Sequence, residues 1–293
     1  MIDPYLNILE RVRNQVTRAV SRPERITTTA KPQGLSVKGM PNMPWLKFMP
    51  YMEKISVGIS FDQPGLGFAQ SGQYQGLDVD VAQYVVHELG YAESQIVFRQ
   101  VRPADRERML EQGQVDMVVA GYSITEERQK LVDFAGPYLA TGQDLLVRRT
   151  QNDIAGVGDL AQKRVCVAAG STSGALVRSL APQALVQERE EFPECVTALL
   201  SGDTDAASAD DFALAGLAHV RGGGQLRLVG RPFSHERYGI GVPHGDPELV
   251  DVINQALKSM MQDGSFKAAL DRASRSIGFS IDAASRTLRP GDR

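Results

Sequence analysis

Arg128 stands at a position where helix electrostatics would not favour a cation. The run 115–120 is typical of a buried strand, Gly121 ends it, and Thr125 is a residue of the type that caps a helix N-terminus. Arg128 therefore falls in the first turn of a predicted helix, where the macrodipole favours anions. Free backbone N–H groups, the Ser123 hydroxyl and this guanidinium would together form a site for a carboxylate.

Two further loops follow predicted strands and carry groups that could bind a small charged ligand. Residues 170–173 read Gly-Ser-Thr-Ser, which offers hydroxyl groups but lacks the Gly-Lys-Ser/Thr ending of a P-loop. Asp211 can cap the next helix, which leaves Asp210 to accept from an ammonium group. Ligands bind at such strand ends in open α/β sheets.

Each of these motifs, taken alone, also has an interpretation without a ligand. Arg128 could form an ion pair with Glu126 or Asp133. A helix cap accounts for residues 170–173, and Asp210 could be a second cap or a surface acid. The residues therefore point to a binding site only in combination.

The elements that would position these loops form a regular α/β alternation from Ile55 onward. Apolar runs bounded by glycine and polar residues predict strands at 55–59, 96–98, 115–120, 164–168, 205–210, 226–229 and 238–242. Helical spacing and capping residues predict helices at 77–89, 103–112, up to 180, at 193–202, after 211, at 247–263 and at 264–275. Two lobes with extended connections near 138–147 and 230–240 follow from this order.

The composition limits the classes of protein and partner that fit. With 293 residues, 42% of them hydrophobic and 23% charged, the chain can form two globular domains of ordinary size. A net charge of −3 without a basic stripe argues against nucleic acid as a partner. The sequence contains no run of about 18 apolar residues, so it predicts no membrane-spanning helix. Histidines and cysteines do not occur at metal-ligand spacing, so we expect no metal site.

Residues 1–50 differ from the rest of the chain. Apolar residues at roughly helical spacing alternate with arginines up to Arg22, and a stretch rich in threonine and proline follows. A basic amphipathic helix could lie on an anionic membrane surface, and an extension without direct function is the alternative. The first residues do not form a recognisable secretory signal.

Five sequence blocks, taken in order, resemble the signature of a known family. They are 76–82, 121–138, 205–210, 238–242 and 256–265. Together they resemble the periplasmic amino-acid-binding proteins, solute-binding family 3 of ABC importers, and most closely their glutamate/aspartate-binding members of actinobacterial type. The resemblance extends from about Ile55 to Gly278.

The resemblance implies a fold and a division of the chain. The fold is the α/β, two-lobed periplasmic-binding-protein fold of type II, with the ligand in the interdomain cleft and two crossover hinge strands. Lobe 1 would comprise residues 51–141 and 236–280, and lobe 2 residues 142–235. Residues 1–50 would be an N-terminal extension or linker, and residues 281–293 a C-terminal tail.

The resemblance also implies roles for the residues of the three loops. Arg128 would bind the α-carboxylate of an amino acid, with help from Ser123 and the 171–173 loop. The Gly121 carbonyl and Asp210 would bind the α-ammonium group. A zwitterion needs one fixed cation and one fixed anion across a cleft, which agrees with this assignment.

Arg106, in the first turn of a predicted helix, would decide the side-chain specificity. It aligns with an arginine that glutamate- and aspartate-binding relatives use for the side-chain carboxylate. An exposed Arg106 paired with Glu107 or Asp105 is the alternative, and Arg102 and Arg108 are competing candidates. The relatives' further basic pocket residue has no match here, which leaves glutamine and asparagine open as ligands.

The same subgroup resemblance covers a pocket loop and the cysteines. The loop with Phe61 and Gln63 is similar to that of actinobacterial glutamate-binding proteins. Cys166 and Cys195 fall at positions that are paired in the subgroup, whereas the residues alone fit two separate buried thiols in a cytosolic chain or a disulfide in an exported one. The candidate ligand-binding residues are therefore Arg128, Asp210, Ser123, Gly121, Arg106, Thr172, Ser173, Ser171, Gln63 and Phe61.

Together these features describe a binding protein rather than an enzyme. It would capture glutamate, aspartate or a similar polar amino acid without a cofactor, as a monomer on the extracellular face of the membrane or in the periplasm. It would pass this ligand to ABC permease subunits, and a sensing module for a membrane receptor or kinase is the alternative. Enzymes of the same fold, such as cyclohexadienyl dehydratase, need a catalytic acid or base in the cleft, and the three loops offer no strong candidate glutamate or histidine.

Overall fold

The computed structural model describes residues 54–279. The amphipathic helix and linker predicted in residues 1–50 and the tail predicted at 281–293 lie outside the described residues. Between residues 54 and 279, none of the helices has the length and hydropathy of a membrane span.

Strands and helices alternate along most of this part of the chain. The strands are β1 (Ile55–Ile59), β2 (Asp62–Gln63), β3 (Gly67–Gln70), β4 (Gln73–Gln75), β5 (Ile96–Gln100), β6 (Met117–Ser123), β7 (Val132–Thr141), β8 (Gln143–Arg148), β9 (Arg164–Ala168), β10 (Leu185–Arg189), β11 (Ala206–Asp210), β12 (Leu226–Leu228) and β13 (Glu236–Pro243). The helices are α1 (Leu77–Glu88), α2 (Arg106–Glu111), α3 (Glu126–Gln129), α4 (Thr172–Leu180), α5 (Phe192–Ser201), α6 (Asp211–Arg221), α7 (Pro247–Gln262) and α8 (Ser265–Ser276). Short 3₁₀ turns lie at Glu93–Gln95, Pro103–Asp105 and Val157–Asp159.

The first sheet has the strand order β5-β1-β6-β13-β7. β1 pairs in parallel with β5 and β6, whereas β13 pairs antiparallel with both β6 and β7. Helices α1, α7 and α8 pack on this sheet, and their buried residues recur at helical spacing, as at Ile253, Leu257 and Met260 of α7. The apolar side of each helix is therefore what holds it to the sheet.

The second sheet has the strand order β10-β9-β11-β8-β12. β9 pairs in parallel with β10 and β11, whereas β8 pairs antiparallel with β11 and β12. Its two faces carry separate apolar clusters, one with Leu146, Leu199 and Leu217 and the other with Val165 and Val177. Burial on both faces explains why its central strands read as nearly continuous apolar runs.

The chain passes from one sheet to the other twice. β7 ends at Thr141 in the first sheet, and β8 begins at Gln143 in the second. The return lies between β12 and β13, where the Asp144 carboxylate accepts from the Gly230 N–H at 2.8 Å. These are the extended connections that the sequence predicts near 138–147 and 230–240.

The structure differs from the predicted elements in several places. β6 does not end at Gly121 but continues to Ser123, because Tyr122 and Ser123 still pair with β13. Gly121 has a left-handed φ of 54° and lies where the register of this pairing shifts. The small sheet β2-β3-β4 and the edge strand β10 are not predicted by the sequence pattern. Most of their residues are partly or fully exposed, and their few apolar residues do not recur with the period of a strand.

Candidate functional site

A small cavity lies where loops that follow strands of the two sheets face each other. It is lined by Gln63, Arg106, Gly121, Ser123 and Arg128 from one side, and by Gln143, Ser171, Thr172, Ser173, Phe192, Asp210 and Ala213 from the other. All the candidate residues except Phe61 are in this lining.

The loop that carries Arg128 has the predicted local structure. Thr125 is the N-cap of α3, and its hydroxyl accepts from the Arg128 N–H at 3.2 Å. The guanidinium donates to the Ser123 carbonyl at 2.7 Å and, across the cleft, to the Gly170 carbonyl at 3.0 Å. These two carbonyls fix the plane of the guanidinium at the wall of the cavity.

Arg128 is buried, with 8% of its surface exposed. Its Nε lies 3.5 Å from a Glu107 carboxylate oxygen, so its ion pair is with Glu107 rather than with Glu126 or Asp133. The Tyr122 hydroxyl donates to the same carboxylate oxygen at 2.6 Å. Glu107 therefore shares its charge between a cation and a hydroxyl group.

Arg106 begins α2 and is also buried, with 3% of its surface exposed. Its Nη2 donates to the Ala120 carbonyl at 2.6 Å. Its Nε is buried and has no hydrogen-bond partner among residues 54–279. A buried donor without a partner carries a desolvation cost that an acceptor in the cavity would remove.

The competing arginines are placed differently. Arg102 forms ion pairs with Glu190 at 2.6 Å and Glu191 at 3.2 Å near the protein surface. Arg108 pairs with Asp105 at 2.6 Å, and about half of its side chain is exposed. Of the candidates for a side-chain carboxylate, Arg106 is the one in the cavity lining.

Two buried guanidinium groups thus stand together on one wall of the cavity. The central carbons of Arg106 and Arg128 each lie 5.0 Å from the centre of the Tyr122 ring. Burial lowers the pKa of Arg106, and the neighbouring charge of Arg128 lowers it further. An anionic ligand would relieve this repulsion between like charges.

Asp210 supplies the negative charge on the opposite wall. Its carboxylate accepts from the Gln143 side-chain amide at 3.1 Å and from the Tyr238 hydroxyl at 2.5 Å. Burial raises the pKa of Asp210 to about 7, and the charge of Glu236 adds to this shift. Asp210 occupies the N-cap position of α6, but its side chain makes no capping hydrogen bond; Asp211 follows as the first helical residue.

Gln143 is the functional candidate that sequence reasoning missed. Its amide nitrogen donates to the Thr172 hydroxyl at 2.9 Å, and its amide oxygen accepts from the Ser173 hydroxyl at 2.7 Å. Ser171 is the N-cap of α4, although its own hydroxyl donates back to the Ala168 carbonyl at 2.6 Å. The hydroxyl loop is therefore both a helix start and part of the cavity, and Gln143 ties it to Asp210.

Asp78, at the start of α1, supports the Gly121 end of the site. Its fully buried carboxylate accepts from the Gly121 N–H at 2.8 Å and from the Tyr138 hydroxyl at 2.7 Å. Burial raises the pKa of Asp78 to about 6 despite these donors. The hydrogen bond from Gly121 fixes its peptide, which has a left-handed φ, beside the cavity, and the bond from Tyr138 holds the Asp78 carboxylate in place.

Phe61 lies outside the cavity lining, since its ring packs with its centre 5.1 Å from that of Tyr74. The apolar part of the lining comes instead from Phe192 at the start of α5 and Ala213 in the first turn of α6. Both follow polar loop residues and gave no separate signal in the sequence.

Most of the part of the chain that forms this site and its two sheets matches a known protein family. The family described as "Bacterial extracellular solute-binding proteins, family 3" matches residues 55–274. The chain belongs to this family.

Named relatives of this family 3 protein extend the comparison. Glutamate-binding protein GluB of Corynebacterium efficiens is 40% identical over 227 residues, which cover 74% of this chain and 77% of the relative. The ABC transporter glutamine-binding protein GlnH of Bacillus subtilis is 38% identical over 217 residues, 73% of this chain and 78% of the relative. A solved structure, an ancestral arginine-binding protein bound to glutamine, matches with a TM-score of 0.71 and 33% identity over 76% of this chain and 98% of that one.

The fold of the family 3 protein follows from these matches together with the sheet orders. The predicted two-lobed, type II periplasmic-binding-protein fold is confirmed, with the cavity between its two sheets. The named relatives are binding proteins rather than enzymes.

The two cysteines of the family 3 protein form the predicted disulfide. Cys166 in β9 and Cys195 in α5 are bonded, with their Cα atoms 5.3 Å apart. Both are buried in the apolar cluster between the second sheet and α5. The interpretation as two separate thiols is therefore wrong for this structure.

Proposed function

We propose that this protein captures glutamate or a similar acidic amino acid and passes it to the permease of an ABC importer. The observation that carries the proposal is the arrangement of charge in the cavity. Arg106 and Arg128 lie buried on one wall, and Asp210 lies on the other. A zwitterion with a second carboxylate has the matching set of charges.

The main-chain groups of the ligand would be bound at two places. Arg128 would bind the α-carboxylate, helped by Ser123 and by the hydroxyl loop of Ser171, Thr172 and Ser173. Asp210 and the Gly121 carbonyl would bind the α-ammonium group. Support comes from the common lining of one cavity by these residues and from the fixed plane of the Arg128 guanidinium.

The side chain of the ligand would be recognised by Arg106. Its buried Nε lacks a partner among residues 54–279, and the charge of Arg128 beside it makes an anion more favourable than a neutral amide. Gln63 lines the same cavity and could bind either an acid or an amide. The relatives named for glutamate and for glutamine make this choice the central question of specificity.

Membership of the family is the basis for assigning the lobes, the location and the partner of the protein. We assign residues 51–141 and 236–280 to lobe 1 and residues 142–235 to lobe 2, which agrees with the sheet to which each strand belongs. The protein would act without chemistry or cofactor, as a monomer outside the cytoplasmic membrane. The description of the family as extracellular and the naming of GlnH as an ABC transporter protein support the location and the partner.

Isothermal titration calorimetry against the common amino acids tests this proposal. We expect one site per chain, with glutamate or aspartate bound more tightly than its amide. Glutamine bound as tightly as glutamate would contradict the acidic ligand but leave an amino-acid-binding protein. No heat with any amino acid would contradict the function itself.

Replacing Arg106 should remove the preference for an acidic side chain. In the wild type, we expect glutamate to outbind glutamine by about ten- to a hundredfold, since a buried charge-assisted hydrogen bond contributes about 1.5–3 kcal/mol. Arg106→Ala should erase most of this ratio and retain some affinity through Arg128 and Asp210. Calorimetry with both ligands measures the ratio.

Arg108→Ala is the matched control for this substitution, because Arg108 lies on the same helix but pairs with Asp105 at the surface. We expect its ratio of affinities to equal that of the wild type. An unchanged ratio in Arg106→Ala would assign the side-chain carboxylate to another basic residue.

The affinity should fall as the pH falls below 7. Asp210 has a pKa near 7 before an ammonium group is bound, and the ammonium group favours the ionised carboxylate. At lower pH the bound ligand must therefore displace a proton, which weakens binding by about tenfold for each pH unit below the pKa. The side-chain carboxylate of free glutamate stays mostly ionised above about pH 5.

Dissociation constants measured by calorimetry at pH 7.5, 6.5 and 5.5 test this dependence. Asp210→Asn is the control, since it should bind weakly and lose most of the dependence on pH. Equal affinity of the wild type at pH 7.5 and pH 5.5 would place the ammonium group away from Asp210.

A further inference from the structure

The loop between β2 and β3 lies directly against helix α6 of the other lobe. A Cβ added at Gly216 in α6 would lie only 1.9 Å from the carbonyl oxygen of Pro64 in this loop. A Cβ added at Gly65 would lie 3.1 Å from the Phe212 ring on the same helix. The backbone of the loop therefore rests on the helix without an intervening side chain at Gly216.

Both sides of the contact between Pro64 and Gly216 lie next to residues that line the ligand cavity. Gln63, the residue before Pro64, lines the cavity, and so does Ala213, which lies one helical turn before Gly216. The distance between Pro64 and Gly216 therefore sets how closely Gln63 and Ala213 approach each other across the cleft.

Helix α6 belongs to both cores at once. Leu214 and Leu217 are buried in the apolar cluster of the second sheet. Phe212, Ala213 and Ala215 belong to the cluster of the first sheet. The helix can remain attached to its own sheet through its leucines when its other side separates from the first sheet.

We infer that Gly216 is a positioning residue of the binding site, because its lack of a side chain lets α6 seat on the Pro64 carbonyl when the two lobes close. This inference rests on the proposed function, since the closure concerned is the one around a bound amino acid. Closing of two lobes around a ligand by a hinge is a common transition of such proteins. Gly216 acts through the placement of Gln63 and Ala213 and would not touch the ligand itself.

An added methyl group at Gly216 should destabilise the closed arrangement of the two lobes and leave the open arrangement unchanged. The backbone of Gly216 is not in the left-handed region, so alanine can adopt its conformation in the helix. Alanine is also a better helix former than glycine. The methyl group meets a backbone carbonyl, which cannot rotate aside as the end of a long side chain can. The apparent affinity then falls with the fraction of molecules that can close.

Gly216→Ala and a matched control, Gly174→Ala, test this inference. Gly174 also lies inside a helix of the same lobe, but its added Cβ would first meet the end of the flexible Arg178 side chain on its own helix, at 3.0 Å. Three measurements are needed: the dissociation constant for glutamate by calorimetry, the radius of gyration by small-angle X-ray scattering with and without glutamate, and the melting temperature without glutamate.

For Gly216→Ala we expect the dissociation constant to rise tenfold or more and the compaction with glutamate to shrink. The melting temperature without glutamate should stay at or above that of the wild type. For Gly174→Ala we expect a dissociation constant within threefold of the wild type and the same compaction.

Two results would overturn the inference. One is a Gly216→Ala dissociation constant within threefold of the wild-type value. The other is a lower melting temperature without glutamate and unchanged compaction, which would make the contact part of the fold in both states. Failure of the wild type to bind any amino acid would instead overturn the proposed function and this inference with it, so the two failures are distinguishable.

Discussion

Arg128→Ala should lower the affinity for glutamate by a hundredfold to several thousandfold and leave the fold intact. The substitution removes a charge-assisted pair and leaves the α-carboxylate of the ligand buried without a cation, which costs about 3–5 kcal/mol. The fold should tolerate the change because the loss of the repulsion between Arg128 and Arg106 offsets part of what is lost: the hydrogen bonds to Ser123 and Gly170 and the ion pair with Glu107. Calorimetry gives the affinity, and thermal melting without ligand gives the stability.

Arg272→Ala serves as the control for Arg128→Ala, since Arg272 pairs with Asp80 on the surface of lobe 1, with more than half of its side chain exposed. We expect wild-type affinity for it. An affinity of Arg128→Ala within tenfold of the wild type would refute the assignment of the α-carboxylate to Arg128.

Loss of the disulfide should lower the free energy of unfolding by about 3–4 kcal/mol. The bond closes a loop with a sequence separation of 29 residues, and the chain-entropy model gives this magnitude for the constraint on the unfolded chain. The double variant Cys166→Ala/Cys195→Ala, compared with the wild type by urea unfolding monitored at two wavelengths, measures the difference.

The wild type unfolded in the presence of a reductant provides the control, because its curve should approach that of the double variant. Titration of denatured, unreduced wild-type protein made in an oxidising compartment should find no free thiol. Two free thiols per chain in such protein would contradict the bond.

The part of the site that the sequence predicts depends on local rules. Thr125 has the side chain of an N-cap, and the position of Arg128 three residues later follows from the geometry of a helix start. The strand ends that carry residues 170–173 and 210 follow from runs of buried apolar residues. A positive charge is unfavourable in the first turn of a helix, and this alone was enough to single out Arg128.

The parts that the sequence does not predict depend on distant contacts. Gln143 is an ordinary strand residue in the sequence, and its partners Thr172, Ser173 and Asp210 lie 29 to 67 positions away. Tyr238 was expected only as part of a strand, yet its hydroxyl donates to Asp210. The partners of these residues are distant in the sequence, so no local sequence pattern predicts them.

The position of β13 has a consequence for the order in which the chain can fold. β13 lies between β6 and β7 in the first sheet, although all the strands of the second sheet come before it in the sequence. Within residues 54–279, β7 has β13 as its strand partner in this sheet. A nascent or translocating chain can therefore complete the second sheet as a contiguous unit, whereas β7 must wait for residues 236–243 before it can join the first sheet. The sheet that begins first is thus finished last, and a chain cut off before residue 236 would leave the position between β6 and β7 empty.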